Sequence, residues 1–226
     1  MSNYSEVIGF IKNQFNNKEF IPLHEPRFLG NEKKYVTDTI DSTFVSSVGS
    51  YVDKFELMMS SISGTSKAVA VVNGTSALQV ALRLAGVNAG NEVITQALTF
   101  IATVNAVIYN GASPIFIDVD IDTMGLSPSA VEAFLEEFGE LREGECYNKK
   151  TNRKIAACMP MHTFGFPVHM NELLKVCNKW NIPLVEDAAE AIGSEYHSNP
   201  IGSFGKLGVF SFNGNKIVTS GGGGAI

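Results

Sequence analysis

KAVAVVNGTSALQVALRLAG, residues 67–86, runs from a strand through a turn into a helix. Residues 67–72, apolar after Lys67 and rich in valine, read as a buried strand. Small residues follow, Asn73-Gly74-Thr75-Ser76-Ala77, at the point where strand gives way to helix. Residues 75–85 place apolar side chains at Leu78, Leu82 and Ala85, a helical spacing, and Gly86 closes the segment.

The same alternation continues downstream. Residues 92–95 read as a second strand, 100–109 as a second helix ended by Asn110-Gly111, and 114–119 as a third strand. Ser127-Pro128 opens a further helix, with proline in the first turn, where its missing N–H costs nothing. Residues 155–159 and 183–186 read as strands on either side of a helix over 169–180, and 207–212 as another strand. Repeated βα units predict an α/β domain with a mostly parallel central sheet flanked by helices, spanning residues 67–226. Residues 1–66 are broken by Pro22, Pro26, Gly30 and Gly49 and are expected to form an N-terminal arm with one helix near residues 31–40. About half of residues 136–154 are charged, of both signs, which predicts a solvated helix end and surface insertion.

The chain has 226 residues, a net charge of −6 and 45% hydrophobic residues, enough for a sizeable core. No Lys/Arg stripe exists to neutralise phosphates, so a nucleic-acid partner is not expected. No apolar run reaches the ~18 residues of a membrane span, so no membrane partner is expected either. The opening run 7–11 is too short for a signal peptide, which predicts a cytoplasmic protein. Cys146, Cys158 and Cys177 are odd in number and lack CxxC spacing, and His24, His162, His169 and His197 are scattered. Reduced thiols and no metal site are expected. The chain stops at SGGGGAI, an apolar segment entered just after a loop of high backbone freedom, which predicts a cut domain.

Several short motifs carry nothing. Neither GxGxxG nor GxxxxGK[ST] occurs, Ser203-Phe204-Gly205-Lys206 matches SxxK without its companion motifs, and the sequon Asn73-Gly74-Thr75 lacks a secretory context. Three other segments do carry chemistry. A helix start at Gly74-Thr75-Ser76 offers N–H groups, a positive dipole end and hydroxyls to an anion; plain N-capping by Thr or Ser is the alternative. Glu186-Asp187 ends a buried strand, where open α/β sheets bind ligands. A buried Asp187 requires a cationic partner, such as a protonated pyridine nitrogen, unless it caps the next turn. Lys216 follows an apolar strand in an uncharged, Gly-rich neighbourhood, where desolvation makes an amine nucleophilic; a solvated surface lysine is the alternative. Together the three features meet the needs of a pyridoxal 5′-phosphate (PLP) enzyme.

Four stretches in order, NGTSAL, TFIATVNAV, EDAAEAIGS and GSFGKLGVFSFNGNKIVTSGGGG, resemble the DegT/DnrJ/EryC1 family of PLP-dependent sugar aminotransferases. Upstream, IPLHEPRFLGNEKKYVTDTIDSTFVSSVGSYVDKFE is similar to the branch that aminates nucleotide-linked 4-keto-6-deoxy sugars toward legionaminic-type sialic acids. The resemblance implies the large domain of a fold type I PLP-dependent transferase, with the small C-terminal domain missing from this chain. It implies that Lys216 bonds covalently to PLP and shuttles the proton, and that Asp187 keeps the pyridine nitrogen protonated. Gly74, Thr75, Ser76 and Ser211 would bind the phosphate, and Phe100 would stack on the ring unless it belongs to the helix core. Glu190 stands where many members carry Gln or His beside the ring hydroxyl. His162 is expected to be structural, Trp180 to pack a helix end, and residues 46–49 to line the sugar side. The implied reaction takes an amino group from an amino acid, L-glutamate by analogy, to the 4-keto group of a nucleotide-linked sugar, in a homodimer. A dehydratase of the same fold is disfavoured because members of that kind carry His in place of Lys216. A non-catalytic regulator and a nucleotide-binding α/β protein are the remaining alternatives.

Overall fold

A computed structural model describes residues 4–226. Three helices come first, α1 (Ser5–Gln14), α2 (Glu32–Asp41) and α3 (Ser50–Ser63). Then follow β1 (Ala70–Val71), α4 (Gly74–Ala85), β2 (Glu92–Gln96), α5 (Ile101–Tyr109), β3 (Ser113–Ile117) and α6 (Pro128–Phe138). A hairpin of β4 (Gly139–Arg142) and β5 (Glu145–Asn148) leads into β6 (Arg153–Cys158), a short 3-10 turn (Thr163–Gly165), α7 (Met170–Lys179) and β7 (Val185–Asp187). A small ribbon of β8 (Glu195–Tyr196) and β9 (Asn199–Pro200) precedes β10 (Leu207–Ser211) and β11 (Gly224–Ala225).

Strands β3, β2 and β6 are parallel neighbours, as are β7 and β10. Parallel bridges from Cys158 to Leu184 and from Met161 to Asp187 join the two groups. The sheet thus runs β3-β2-β6-β7-β10-β11-β1, mostly parallel, with β11 antiparallel to both of its neighbours. Consecutive strand residues alternate between two apolar cores. Val93, Ala157, Val185 and Val209 pack with Leu78, Leu82 and Val107 of α4 and α5. Ile94, Cys158, Leu184 and Phe210 pack with Leu135 and Leu173 of α6 and α7. Helices on both faces explain why these strands read as continuous apolar runs.

Three expectations need correction. Residues 67–72 do not form a buried strand: β1 is only Ala70–Val71, and Val69 and Val72 are 46% and 73% exposed. Its place at the sheet edge accounts for this. Among the described residues, 4–66 hold three helices rather than one; α3, bounded by Gly49 and a left-handed Gly64, and α1 escaped the expectation. Of the charged stretch 136–154, residues 136–138 do end a helix, α6, but the insertion after them is a β-hairpin, β4 and β5, that pairs onto β6 and widens the sheet. The glycine run leads into β11. Gly223 accepts from Phe212 N–H at 3.0 Å, and a Cβ on Gly224 would lie 2.6 Å from the Asn73 carbonyl carbon, so β11 fits only without a side chain there. Trp180 caps α7 and packs against Gly139, where a Cβ would meet its ring at 2.8 Å. Among the described residues no helix is long and apolar enough to cross a membrane.

Candidate active site

The C-terminal ends of the parallel strands and the start of α4 enclose a cavity of about 470 Å³. Gly74, Thr75, Phe100, Asp187, Glu190, Ser211 and Lys216 line it, so distant segments of chain meet as the βα order requires. Ser76 does not line it. Its N–H donates to Asn73 Oδ1 at 2.8 Å, so Asn73, not Thr75 or Ser76, is the cap of α4. The Thr75 hydroxyl is thereby left to the cavity. Gly74 is required by a close approach: a Cβ on it would lie 2.7 Å from Ser211 Cβ. That contact brings the first N–H groups of α4 and the Ser211 hydroxyl to one wall, a cradle suited to a phosphate.

Asp187 is buried at the end of β7. Its Oδ2 accepts from the Thr103 hydroxyl at 2.7 Å and its Oδ1 from Ala189 N–H at 3.2 Å. Burial pushes its carboxyl above the usual range, against these two hydrogen bonds and the nearby His162 and Lys216, which pull it down. The turn-capping role and the cavity role therefore coexist, and a cation entering the cavity would find a carboxylate incompletely compensated. Thr103, which holds Asp187, was not legible in the sequence, because its contact spans two helical and strand elements.

Lys216 is only 8% exposed. Its Nζ donates to Glu190 Oε1 at 2.8 Å and sits 5.5 Å from the centroid of the Phe100 ring. Phe100 does not belong to a helix core: it is the extended N-cap residue of α5, 61% exposed, with its ring toward the cavity. Glu190 thus meets the lysine directly.

His162 is fully buried; Nδ1 accepts from Val168 N–H at 3.2 Å and Nε2 lies 3.3 Å from Glu186 Oε2. Both ring nitrogens are engaged, in keeping with a structural histidine at the cavity wall. Glu186 faces away from the cavity and accepts N–H groups of Gly202, Phe204 and Gly205 at 2.9, 2.8 and 2.7 Å. Residues 46–49 line a separate shallow pocket before α3 and do not reach the cavity, so they do not border this site within the chain. Among the described residues one group, Asp120, Asp122 and His169, brings three potential metal-ligand atoms within 4.8 Å of one another, at the surface and apart from the cavity.

A lysine amine, a buried acid opposite it, an aromatic face and an anion cradle in one cavity define a PLP-binding α/β protein. Residues 28–226 match the model of the DegT/DnrJ/EryC1/StrS aminotransferase family, and the chain belongs to that family. It is 39% identical over 208 residues to a GDP-perosamine synthase of Escherichia coli O157:H7, covering 92% of this chain and 53% of that protein. It is 37% identical over 206 residues to the putative pyridoxal phosphate-dependent aminotransferase EpsN of Bacillus subtilis (strain 168), covering 91% and 50%. A crystal structure of DesI in the presence of its TDP-sugar product superposes with a TM-score of 0.74 at 32% identity, over 86% of this chain and 45% of that one. The chain spans about half the length of the curated relatives it matches. The cofactor of the family is PLP.

Proposed function

We propose that this chain is the cofactor-binding portion of an aminotransferase that moves an amino group from an amino acid, L-glutamate, to the 4-keto group of a nucleotide-linked 4-keto-6-deoxy sugar. The product is a 4-amino sugar nucleotide for surface polysaccharide, made in the cytoplasm by a homodimer. The observation that carries the reading is the convergence of Lys216, Asp187, Phe100 and the start of α4 on one cavity. Perosamine is itself a 4-amino sugar, so the name of one relative agrees with amination at that carbon. The resemblance of residues 21–56 favours the 4-keto-6-deoxy class. Exposed apolar side chains on and between the N-terminal helices, Phe10, Leu23, Phe44 and Val45 among them, are surface for a second copy to cover.

Bound PLP supplies a reactive aldehyde carbon and an electron-poor ring that absorbs the charge left by a departing proton. The residues of the chain do the rest. The first N–H groups of α4, with the Thr75 and Ser211 hydroxyls, would hold the phosphate, and Phe100 would shield the cofactor from water. Asp187, held by Thr103, keeps a proton on the ring nitrogen, and its own burial makes that charge pair worth more than in water. Lys216 Nζ, the amine in the cavity, would hold the cofactor through its aldehyde carbon and would serve as the base that moves a proton during amino transfer.

The test is an absorbance spectrum of the protein with PLP, before and after L-glutamate. A long-wavelength band should appear with PLP and give way to a shorter-wavelength band, with one equivalent of 2-oxoglutarate released. A spectrum unmoved by glutamate and by other amino acids contradicts the reading. Supplying GDP-, UDP- and TDP-linked 4-keto-6-deoxy sugars to the aminated form then identifies the acceptor.

A further inference from the structure

We propose that Glu190 is the positioning residue for Lys216: its carboxylate holds Nζ as an ion pair, restraining the amine before cofactor capture and receiving it again when turnover releases it. The inference rests on Lys216 being the cofactor lysine, as proposed above.

The geometry is specific. Nζ donates to Glu190 Oε1 at 2.8 Å and lies over the Phe100 ring, 5.5 Å from its centroid, so the cation meets both a carboxylate and an aromatic face. The other titratable groups near this point are Asp187 and His162. Asp187 is already hydrogen-bonded to Thr103 and Ala189, and His162 to Val168 and Glu186. Glu190 is therefore the carboxylate that answers the charge of Lys216. Its backbone is fixed from outside: a Cβ on Gly165 would lie 2.6 Å from the Glu190 carbonyl oxygen, so the 163–165 turn packs against it and sets where the side chain begins. Glu190 is partly exposed, with 35% of its side chain accessible, so water can take over the carboxylate when the pair opens, while the buried Lys216 leaves it as a neutral amine.

Two consequences of opposite sign follow. To capture an aldehyde, the Lys216 ammonium gives up one proton to water and leaves Glu190. Its nitrogen then forms the bond to the carbonyl carbon, and the remaining two protons leave with the carbonyl oxygen as water. Glu190 opposes this step, because the charge-assisted contact must first be broken. During turnover the displaced lysine takes a proton from the donor carbon and becomes cationic, and there Glu190 holds it in place. Glu190→Gln keeps size and an acceptor oxygen but removes the charge.

The experiment uses the full-length protein as wild type, Glu190→Gln, Glu190→Asp and Glu190→Ala. PLP is added to the cofactor-free protein, samples are reduced with borohydride at timed intervals, and the Lys216 peptide is weighed by mass spectrometry. In parallel, single-turnover amino transfer from L-glutamate to the loaded protein is followed by absorbance. Glu190→Gln should capture PLP about tenfold faster and transfer the amino group about tenfold slower, the difference between a charge-assisted and a neutral hydrogen bond. Glu190→Asp should recover part of the transfer rate, and Glu190→Ala should follow Gln in both directions. Rates equal to wild type in both assays, or falling together in all three variants, overturn the inference alone. A wild type that gains no adduct at Lys216 overturns the cofactor reading and this inference with it.

Discussion

The two regions that meet across β7 each contain a buried carboxylate, and they use it in opposite ways. On one side Glu186 takes three backbone N–H groups from the 202–205 turn and a contact from His162, so its charge is fully answered by the protein. On the other side Asp187, one residue along the same strand, has one hydroxyl and one N–H, and burial raises its carboxyl. A carboxylate saturated by the backbone fixes a turn. A carboxylate left short of partners at a cavity wall is a place for a cation that arrives from outside.

The sharpest way to break this contrast is Asp187→Asn. It should lower turnover by about 100-fold or more, since an uncharged amide no longer stabilises a protonated ring nitrogen, while PLP remains bound through the rest of the cavity. Turnover and bound PLP measured side by side check this; unchanged turnover would make Asp187 as structural as its neighbour. Gly74→Ala comes next. Its Cβ would be 2.7 Å from Ser211 Cβ, so α4 must move off β10, and PLP affinity by equilibrium dialysis should fall about tenfold. Affinity equal to wild type would remove the cradle from the account. Glu186→Gln should leave PLP capture nearly intact but lower unfolding stability by about 2 kcal/mol in urea, because an amide N–H₂ now faces backbone donors. Loss of PLP with unchanged stability would exchange the roles of the two carboxylates.

The smallest effect concerns the cofactor-free protein. Because the Asp187 carboxyl is raised in the folded state, its ionised form costs stability at pH values above its folded pKa. Asp187→Asn removes that cost, so the cofactor-free variant should melt slightly higher than wild type at neutral pH. The advantage should shrink as pH falls through the folded pKa and vanish below the unfolded value of 3.8, where the carboxyl is neutral folded and unfolded alike. Melting curves across that range decide it; a variant that melts lower than wild type at neutral pH would show that the carboxylate was already satisfied.

The same contrast explains what could be seen in the sequence. The βα succession was legible because strands buried on both faces, such as 93–94 and 184–185, read as apolar runs between helical periods. Asp187, Lys216 and the Gly74 turn were legible because their chemistry is out of keeping with their surroundings. What a side chain meets across the fold was not. Thr103 under Asp187, Glu190 against Lys216 and the donors around Glu186 all depend on contacts between segments far apart in the chain. The 139–148 hairpin was hidden by its charges, since an edge of the sheet facing water carries the same composition as a loop. Helix α1 was hidden because its apolar residues are exposed in this chain, and α3 because Leu57, Met58 and Ile62, exposed between the inward-facing Phe55 and Met59, blur its period.

The central claim is that Lys216 is the residue that captures the cofactor. Incubation of the protein with PLP, borohydride reduction and peptide mapping test it directly. The account predicts a single reduced adduct, on Lys216; an adduct on another lysine, or none, would contradict it.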